Sequence, residues 1–301
     1  MTEDNITSPS SPPAVLVPPR DVFATRAARF EQLADNHALG DWLRFLGQIS
    51  KSQHDCLRKA PPGLVTDSPA LAQARAHAMP PLPAQTLPRD PMWRAILQCL
   101  CEDIAKAAPE VLRPLLEALP ARPAAEIEAL ADRVLRTELY GPDSQVLPFV
   151  AAALQVYWTH MAINLGAAGI PSLDVPGVCP CCGFLPVASV VKSVGEVASL
   201  RYLHCALCNT EWNLVRVKCA ACDGNEHVSF QQLEGGTLMP AEAIKAETCD
   251  SCKSYLKIVY QEKGGVDPVA DDLASLALDI LVDEAGYTRA GPNLLMVPGE
   301  G

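Results

Sequence analysis

The sequence predicts an α+β protein, with a helical N-terminal domain followed by two small rubredoxin-like or zinc-ribbon modules and a C-terminal helix. Three observations carry this reading. Ala and Leu are abundant while aromatic residues make up 5% of the 301 residues, a composition in which helix packing supplies most of the buried surface. Apolar residues fall at helical spacing up to Gly166, whereas short β-branched runs replace them after Pro171. Eight of the twelve cysteines stand in four CxxC pairs, all within that second region.

Residues 1–20 carry Ser8-Pro9-Ser10-Ser11-Pro12-Pro13 and Pro18-Pro19 without a periodic apolar face, and read as a flexible segment. The helical domain follows over 21–170. Its periodicity is plain in Leu39, Trp42, Leu43 and Leu46, in Ile127, Leu130, Ala131, Val134 and Leu135, and in Val146, Phe149, Val150, Ala153 and Tyr157. Asp90-Pro91 supplies an N-cap before a first-turn proline, Asp143 precedes the last long segment and Gly166 ends it. Breaks at Pro61-Pro62-Gly63, Pro80-Pro81-Leu82-Pro83 and Pro120 to Pro123 divide the region into six or seven helices of one bundle. Strands are expected at Val187–Val191, Val197–Leu203, Trp212–Val217, Val228–Leu233 and Tyr255–Tyr260, within a first metal module over 171–212 and a second over 213–266. A helical face returns in Leu273, Leu276, Ala277, Ile280 and Leu281, so 267–301 reads as a C-terminal helix and tail.

The formal net charge of −11, with no Lys/Arg run, argues against a surface that tracks nucleic-acid phosphates. Met1-Thr2-Glu3-Asp4 is acidic and no secretory or twin-arginine signal follows, which points to the cytoplasm. Val146 to Leu165 has bilayer-spanning length, but Pro148, Gln155, Thr159, His160 and Asn164 within it favour a buried helix over membrane insertion. In a reducing compartment twelve cysteines point to metal rather than to a disulfide framework.

The pairs are Cys179/Cys182, Cys205/Cys208, Cys219/Cys222 and Cys249/Cys252. A CxxC turn aims two thiolates at one tetrahedral ion, and a second pair brought alongside by a hairpin completes an S4 shell suited to Zn²⁺ or a rubredoxin-type iron. The spacings decide which pairs combine: loops of 22 and 26 residues match a zinc ribbon, while only ten residues separate Cys208 from Cys219. Cys179, Cys182, Cys205 and Cys208 therefore form site one, and Cys219, Cys222, Cys249 and Cys252 form site two. Gly183, Asn209 and Asp223-Gly224 follow the first three pairs, where positive φ is often required; Lys253 after the fourth is the least suited. Lys218 or Lys253 is placed to offset the negative charge of an occupied shell. Short strands with a small core draw much of their stability from such ions, so their loss should unfold this half.

Other residues take plainer readings. Cys181 lies inside the first pair and cannot join that knuckle without displacing a ligand; Cys56, Cys99 and Cys101 read as small core residues. His204 and His227 flank cysteine pairs and are candidates for hydrogen bonds near the shells, and His160 reads as a core histidine. Dithiol/disulfide couples of the thioredoxin type need a helix start in a βαβ context that these pairs lack. No Ser-His-Asp set, nucleotide-binding glycine loop or HExxH motif occurs, and no enzymatic site is expected.

With these segments laid out, the chain resembles the formate dehydrogenase accessory (FdhE) family. The resemblance is carried by Cys179-Pro180-Cys181-Cys182-Gly183, by Arg201 to Cys208 with Thr210-Glu211-Trp212, by Val215 to Cys219, by Lys245 to Asp250, by Tyr255-Leu256-Lys257, by Val269 to Leu276 and by Pro298-Gly299-Glu300. The helical half is similar in character only. The resemblance implies a cytoplasmic, non-catalytic factor that contacts the catalytic subunit of a respiratory formate dehydrogenase and binds iron at rubredoxin-like sites. All eight paired cysteines match the family's CxxC positions, and Cys181 departs from the noncysteine expected there. Two other readings remain at this point: a nucleic-acid-binding zinc ribbon and a rubredoxin-like electron carrier.

Overall fold

The computed structural model describes residues 12–60, 69–233 and 242–296. The break at Pro61-Pro62-Gly63 and the closing Pro298-Gly299-Glu300 lie outside them. Seven helices precede Gly166 among the described residues: α1 (Val22–Ala34), α2 (Gly40–Lys59), α3 (Pro69–Ala76), α4 (Met92–Ala105), α5 (Arg113–Ala118), α6 (Ala124–Leu135) and α7 (Leu147–Leu165). At the entry to α4 Pro91 takes the N-cap position and Asp90 Oδ1 accepts from Met92 N (2.8 Å), while Gly166 ends α7 with φ +70°. By length and composition alone α7 is able to cross a membrane, yet 94% of its apolar window is buried within the protein, against α2, α4 and α6. A helix apolar on every side is what the centre of a bundle demands.

The second half, with one short strand from the N-terminal segment, forms one sheet. Its strands are β1 (Val15–Leu16), β2 (Pro186–Val194), β3 (Val197–Cys205), β4 (Glu211–Asn213), β5 (Val228–Gln231), β6 (Ile244–Cys249), β7 (Ser254–Tyr260) and β8 (Thr288–Arg289). They run in the order β1-β4-β3-β2-β7-β6-β5, with β8 added beside β7. Each cysteine module contributes an antiparallel meander, and the two meanders join where β2 pairs β7 in parallel, Val190 opposite Val259. The modules are thus halves of a single sheet, a union that local patterning does not reveal.

Several details differ from the sequence expectation, among them β6, which no expected strand covers. Residues 12–20 are not wholly a flexible lead-in: Val15 and Leu16 pair with Trp212 and Glu211, and Tyr202 Oη donates to Pro13 O (2.9 Å). The physical reason is the open edge of β4, whose backbone groups need partners. The strand expected over Trp212–Val217 ends at Asn213, leaving Val215 and Val217 exposed. The C-terminal helix is two helices, α8 (Pro268–Leu273) and α9 (Leu276–Glu284), because Ser275 Oγ bonds the carbonyls of Asp271 (2.9 Å) and Asp272 (3.0 Å) between them.

Side chains tie bundle to sheet. Arg26 and Arg29 of α1 pair with Asp267 (3.1 Å) and Asp271 (2.6 Å) at the start of α8, and Asp267 also caps that helix by accepting from Val269 N and Ala270 N. From α7, Gln155 Nε2 donates to Ala206 O (2.8 Å) and Trp158 Nε1 to Leu82 O (3.1 Å). The segment ending the second proline break is itself docked, since Leu82 N and Ala84 N donate to the carbonyls of Cys181 and Cys182, each at 2.9 Å.

Candidate metal centres

The eight paired cysteines gather into two clusters, Cys179, Cys182, Cys205 and Cys208 in one and Cys219, Cys222, Cys249 and Cys252 in the other, with the sulfurs of each within 4.8 Å of one another. This is the combination of pairs that the spacing suggests. The first knuckle lies in the loop before β2 and the second at the end of β3, so the β2–β3 hairpin brings them together; the third lies before β5 and the fourth at the end of β6, and the antiparallel β5–β6 pair joins them in the same way.

The knuckles share a local design. Cys179 N donates to Phe184 O (2.9 Å) and Gly183 N to Cys179 O (2.7 Å), while Cys219 N donates to Gly224 O (2.8 Å) and Asp223 N to Cys219 O (3.0 Å). The residue after each pair is left-handed: Gly183 φ +72°, Asn209 φ +57°, Asp223 φ +58° and Lys253 φ +54°. This turn aims backbone N–H groups inward, and Leu207 N and Cys208 N both reach Cys205 Sγ at 3.4 Å, as Ala221 N reaches Cys219 Sγ. Lys253 tolerates the conformation despite its side chain because β6 and β7 dictate the turn.

The sulfur separations match the metal that such shells take. Cys179–Cys208 and Cys182–Cys205 are each 3.5 Å, and Cys219–Cys252 and Cys222–Cys249 are 3.7 and 3.8 Å. A tetrahedron with metal–sulfur bonds of about 2.3 Å has an edge of about 3.8 Å, whereas a disulfide would need about 2.05 Å. Each cluster could therefore hold one ion. The thiols alone make poor neighbours: burial pushes Cys179 and Cys182 well above the ordinary cysteine range. Cys208 is equally buried, yet hydrogen bonds from Cys179, Cys181 and Cys182 hold it well below that range. In site two burial pushes Cys219 up to about 12, whereas Cys249, against the upward push of burial, is brought down to about 7 by the N–H groups of Cys252 and Ser251. Four thiolates so close repel one another, and a divalent cation relieves most of that charge.

The remaining candidates fall into place around these clusters. Cys181 is fully buried and bonds towards Cys208, outside the set of four. His204 is not aimed at a sulfur: its ring nitrogens meet Glu211 Oε1 (3.2 Å) and Asn209 Oδ1 (3.1 Å) in a buried network that Arg26 Nη2 (2.7 Å) and Thr159 Oγ1 (2.8 Å) join through Asn209. Lys218 and Lys253 are each held by an aspartate of their own knuckle, Asp223 and Asp250, so neither is left to offset a shell directly. Cys56 and Cys101 are core residues of the bundle and Cys99 is half-buried beside it. His160 is buried next to Asn164, and burial lowers its pKa.

Arg201 escaped the sequence reading. It sits in β3, 1% exposed, donating to Ser189 Oγ (2.9 Å), Glu247 Oε1 (2.8 Å) and Lys218 O (2.8 Å). A residue of the first module thereby holds both approaches to the second cluster, since Lys218 precedes Cys219 and Glu247 lies two before Cys249. The available signal was an arginine embedded in the apolar run Leu200-Arg201-Tyr202-Leu203.

Comparison with known proteins bears on the whole chain. Residues 11–173 match the family described as FdhE, N-terminal; residues 178–216 match its central domain and 217–296 its C-terminal domain. The Protein FdhE homolog of Edwardsiella ictaluri is 42% identical over 282 residues, 93% of this chain and 89% of the relative. Protein FdhE of Escherichia coli K12 is 39% identical over 312 residues, 99% of this chain and 97% of the relative. The crystal structure of the FdhE protein from Pseudomonas aeruginosa superposes with a TM-score of 0.82 at 37% identity, covering 96% of this chain and all (100%) of that one. Three adjoining family regions in order, relatives alike over nearly their full length and a matching fold lead to one conclusion, that this chain belongs to the FdhE family.

Proposed function

We propose that this protein is a non-catalytic maturation factor for respiratory formate dehydrogenase, acting in the cytoplasm by binding the enzyme's catalytic subunit, with one metal ion held by each cysteine cluster. The observation that carries the reading is the pair of closed S4 arrangements in a chain of this family. Four protein sulfurs around an ion leave no open position for a substrate, so the metals serve structure or electron transfer rather than hydrolytic or Lewis-acid chemistry. In this proposal residues 21–170 form the helical scaffold, 171–212 and 213–266 the metal modules and 267–301 the closing segment. Cys179, Cys182, Cys205 and Cys208 ligate the first ion, and Cys219, Cys222, Cys249 and Cys252 the second. The family resemblance favours iron, and zinc satisfies the same donors.

The test replaces the resident gene with Cys205→Ser or Cys249→Ser. Each variant should lose about one metal ion per chain, and formate dehydrogenase activity should fall, along with recovery of the catalytic subunit on the tagged protein. Full maturation by both variants would sink the proposal. An ultraviolet–visible spectrum of anaerobically purified protein separates the metals, because only iron gives thiolate bands that bleach on reduction.

A further inference from the structure

The two clusters differ in one respect that bears on what they do. In site one Cys179, Cys205 and Cys208 are 0% exposed and Cys182 is 1%. The bundle seals them in: α7 holds Ala206 through Gln155, the 82–84 segment is bonded to the backbone of Cys181 and Cys182, and Asn209 is tied to Thr159 and Arg26. In site two Cys219 and Cys249 are buried, but Cys252 is only half-buried and Cys222 is exposed. This cluster stands at the other end of the sheet, next to the edge strand β5, and its closing turns carry the exposed pairs Lys218–Asp223 and Lys253–Asp250.

We infer that site two is an exchange centre that gives up and accepts a thiophilic divalent ion while the bundle and site one stay folded, whereas site one keeps its ion as a permanent part of the fold. The inference rests on the metal reading above. Ligand exchange at a four-sulfur shell begins when an incoming donor, a thiolate or a nitrogen chelator, takes the place of one cysteine. Such a donor can reach Cys222 and then Cys252 from solvent. Each released thiolate takes one proton from water, the incoming donor takes its coordination bond, and no electron changes hands. At site one the same approach requires first parting the sheet from α7 and the 82–84 segment.

The test uses the full chain loaded anaerobically with two equivalents of Zn²⁺, desalted, and mixed with excess 4-(2-pyridylazo)resorcinol. Zinc should leave in two phases of equal amplitude whose rates differ by at least roughly tenfold, a separation typical of what the surroundings of a shell do to metal binding. Cys222→Ser/Cys252→Ser should lose the fast phase and keep the slow one. A readout without variants comes from alkylation during the fast phase, analysed by mass spectrometry: among the eight paired cysteines, Cys222 and Cys252 should be labelled first. Release of both ions in one phase, or first labels on Cys182 or Cys205, overturns the inference alone. A chain that retains no zinc after desalting overturns the metal reading, and this inference with it.

Discussion

Replacing Arg201 by Met tests how the halves of the sheet are joined. The guanidinium is buried, pairs with Glu247 at 2.8 Å, donates to Ser189 and holds the carbonyl of Lys218, while Glu247 Oε2 has no hydrogen-bond partner among the described residues. Taking away one member of a buried pair leaves the other charge without compensation, a loss of about 3–5 kcal/mol. Burial already raises the pKa of Glu247 despite the opposing pull of Arg201, so removing Arg201 raises it further. A carboxyl raised in the folded state contributes stability that is fully present below its unfolded value of about 4.3 and is lost as pH rises through the folded value. The Arg201→Met deficit, read from urea unfolding, should therefore be small near pH ~4 and large near pH ~8. Adding Glu247→Gln should recover much of the loss at the higher pH, because the stranded charge is gone. A deficit equal at both pH values and untouched by Glu247→Gln would refute the reasoning.

Further outcomes follow from the same contacts. Gly183→Ala should lower stability by about 1–2 kcal/mol, the left-handed penalty for a β-carbon at φ +72°, whereas Lys253→Gly, which removes such a carbon at φ +54°, should raise the unfolding midpoint despite the lost Asp250 pair. Opposite shifts are expected in thermal melts, and equal shifts would dissociate the knuckle conformation from stability. Asp271 is raised to about 6, chiefly by burial and against the pull of Arg29, so the stability it contributes is present below about 3.8 and lost as pH rises through about 6. Asp271→Asn should accordingly gain on the unsubstituted chain by up to about 3 kcal/mol between pH ~4 and pH ~7, and a pH-independent difference would contradict this. Stripping metal with a strong chelator should expose residues 213–266 to limited proteolysis before the bundle, which packs around the buried α7 and carries none of the eight cysteines; simultaneous cleavage throughout would argue otherwise.

Much of this protein was legible in its local chemistry. Helical spacing from Leu39 to Tyr157, the helix start at Asp90-Pro91 and the stop at Gly166 are properties of short segments, and so are the CxxC turns with Gly183, Asn209 and Asp223 behind them. Even the grouping of the eight cysteines follows from loop lengths, because only a hairpin of suitable size lays one knuckle against another. Tertiary structure decided what depends on residues far apart in sequence. The parallel pairing of Val190 with Val259 fuses two modules into one sheet, and Val15 and Leu16 are drawn from an unpatterned segment onto the open edge at Trp212. Arg201 finds Glu247 across that sheet, and Gln155 reaches Ala206 from the bundle. Burial of one cluster and exposure of the other belong to the same class: both have the same CxxC chemistry, and only the packing of α7 and the 82–84 segment against the first makes them different. Periodicity and spacing record the constraints a chain places on its neighbours along the backbone, whereas solvent access is a property of the whole surface.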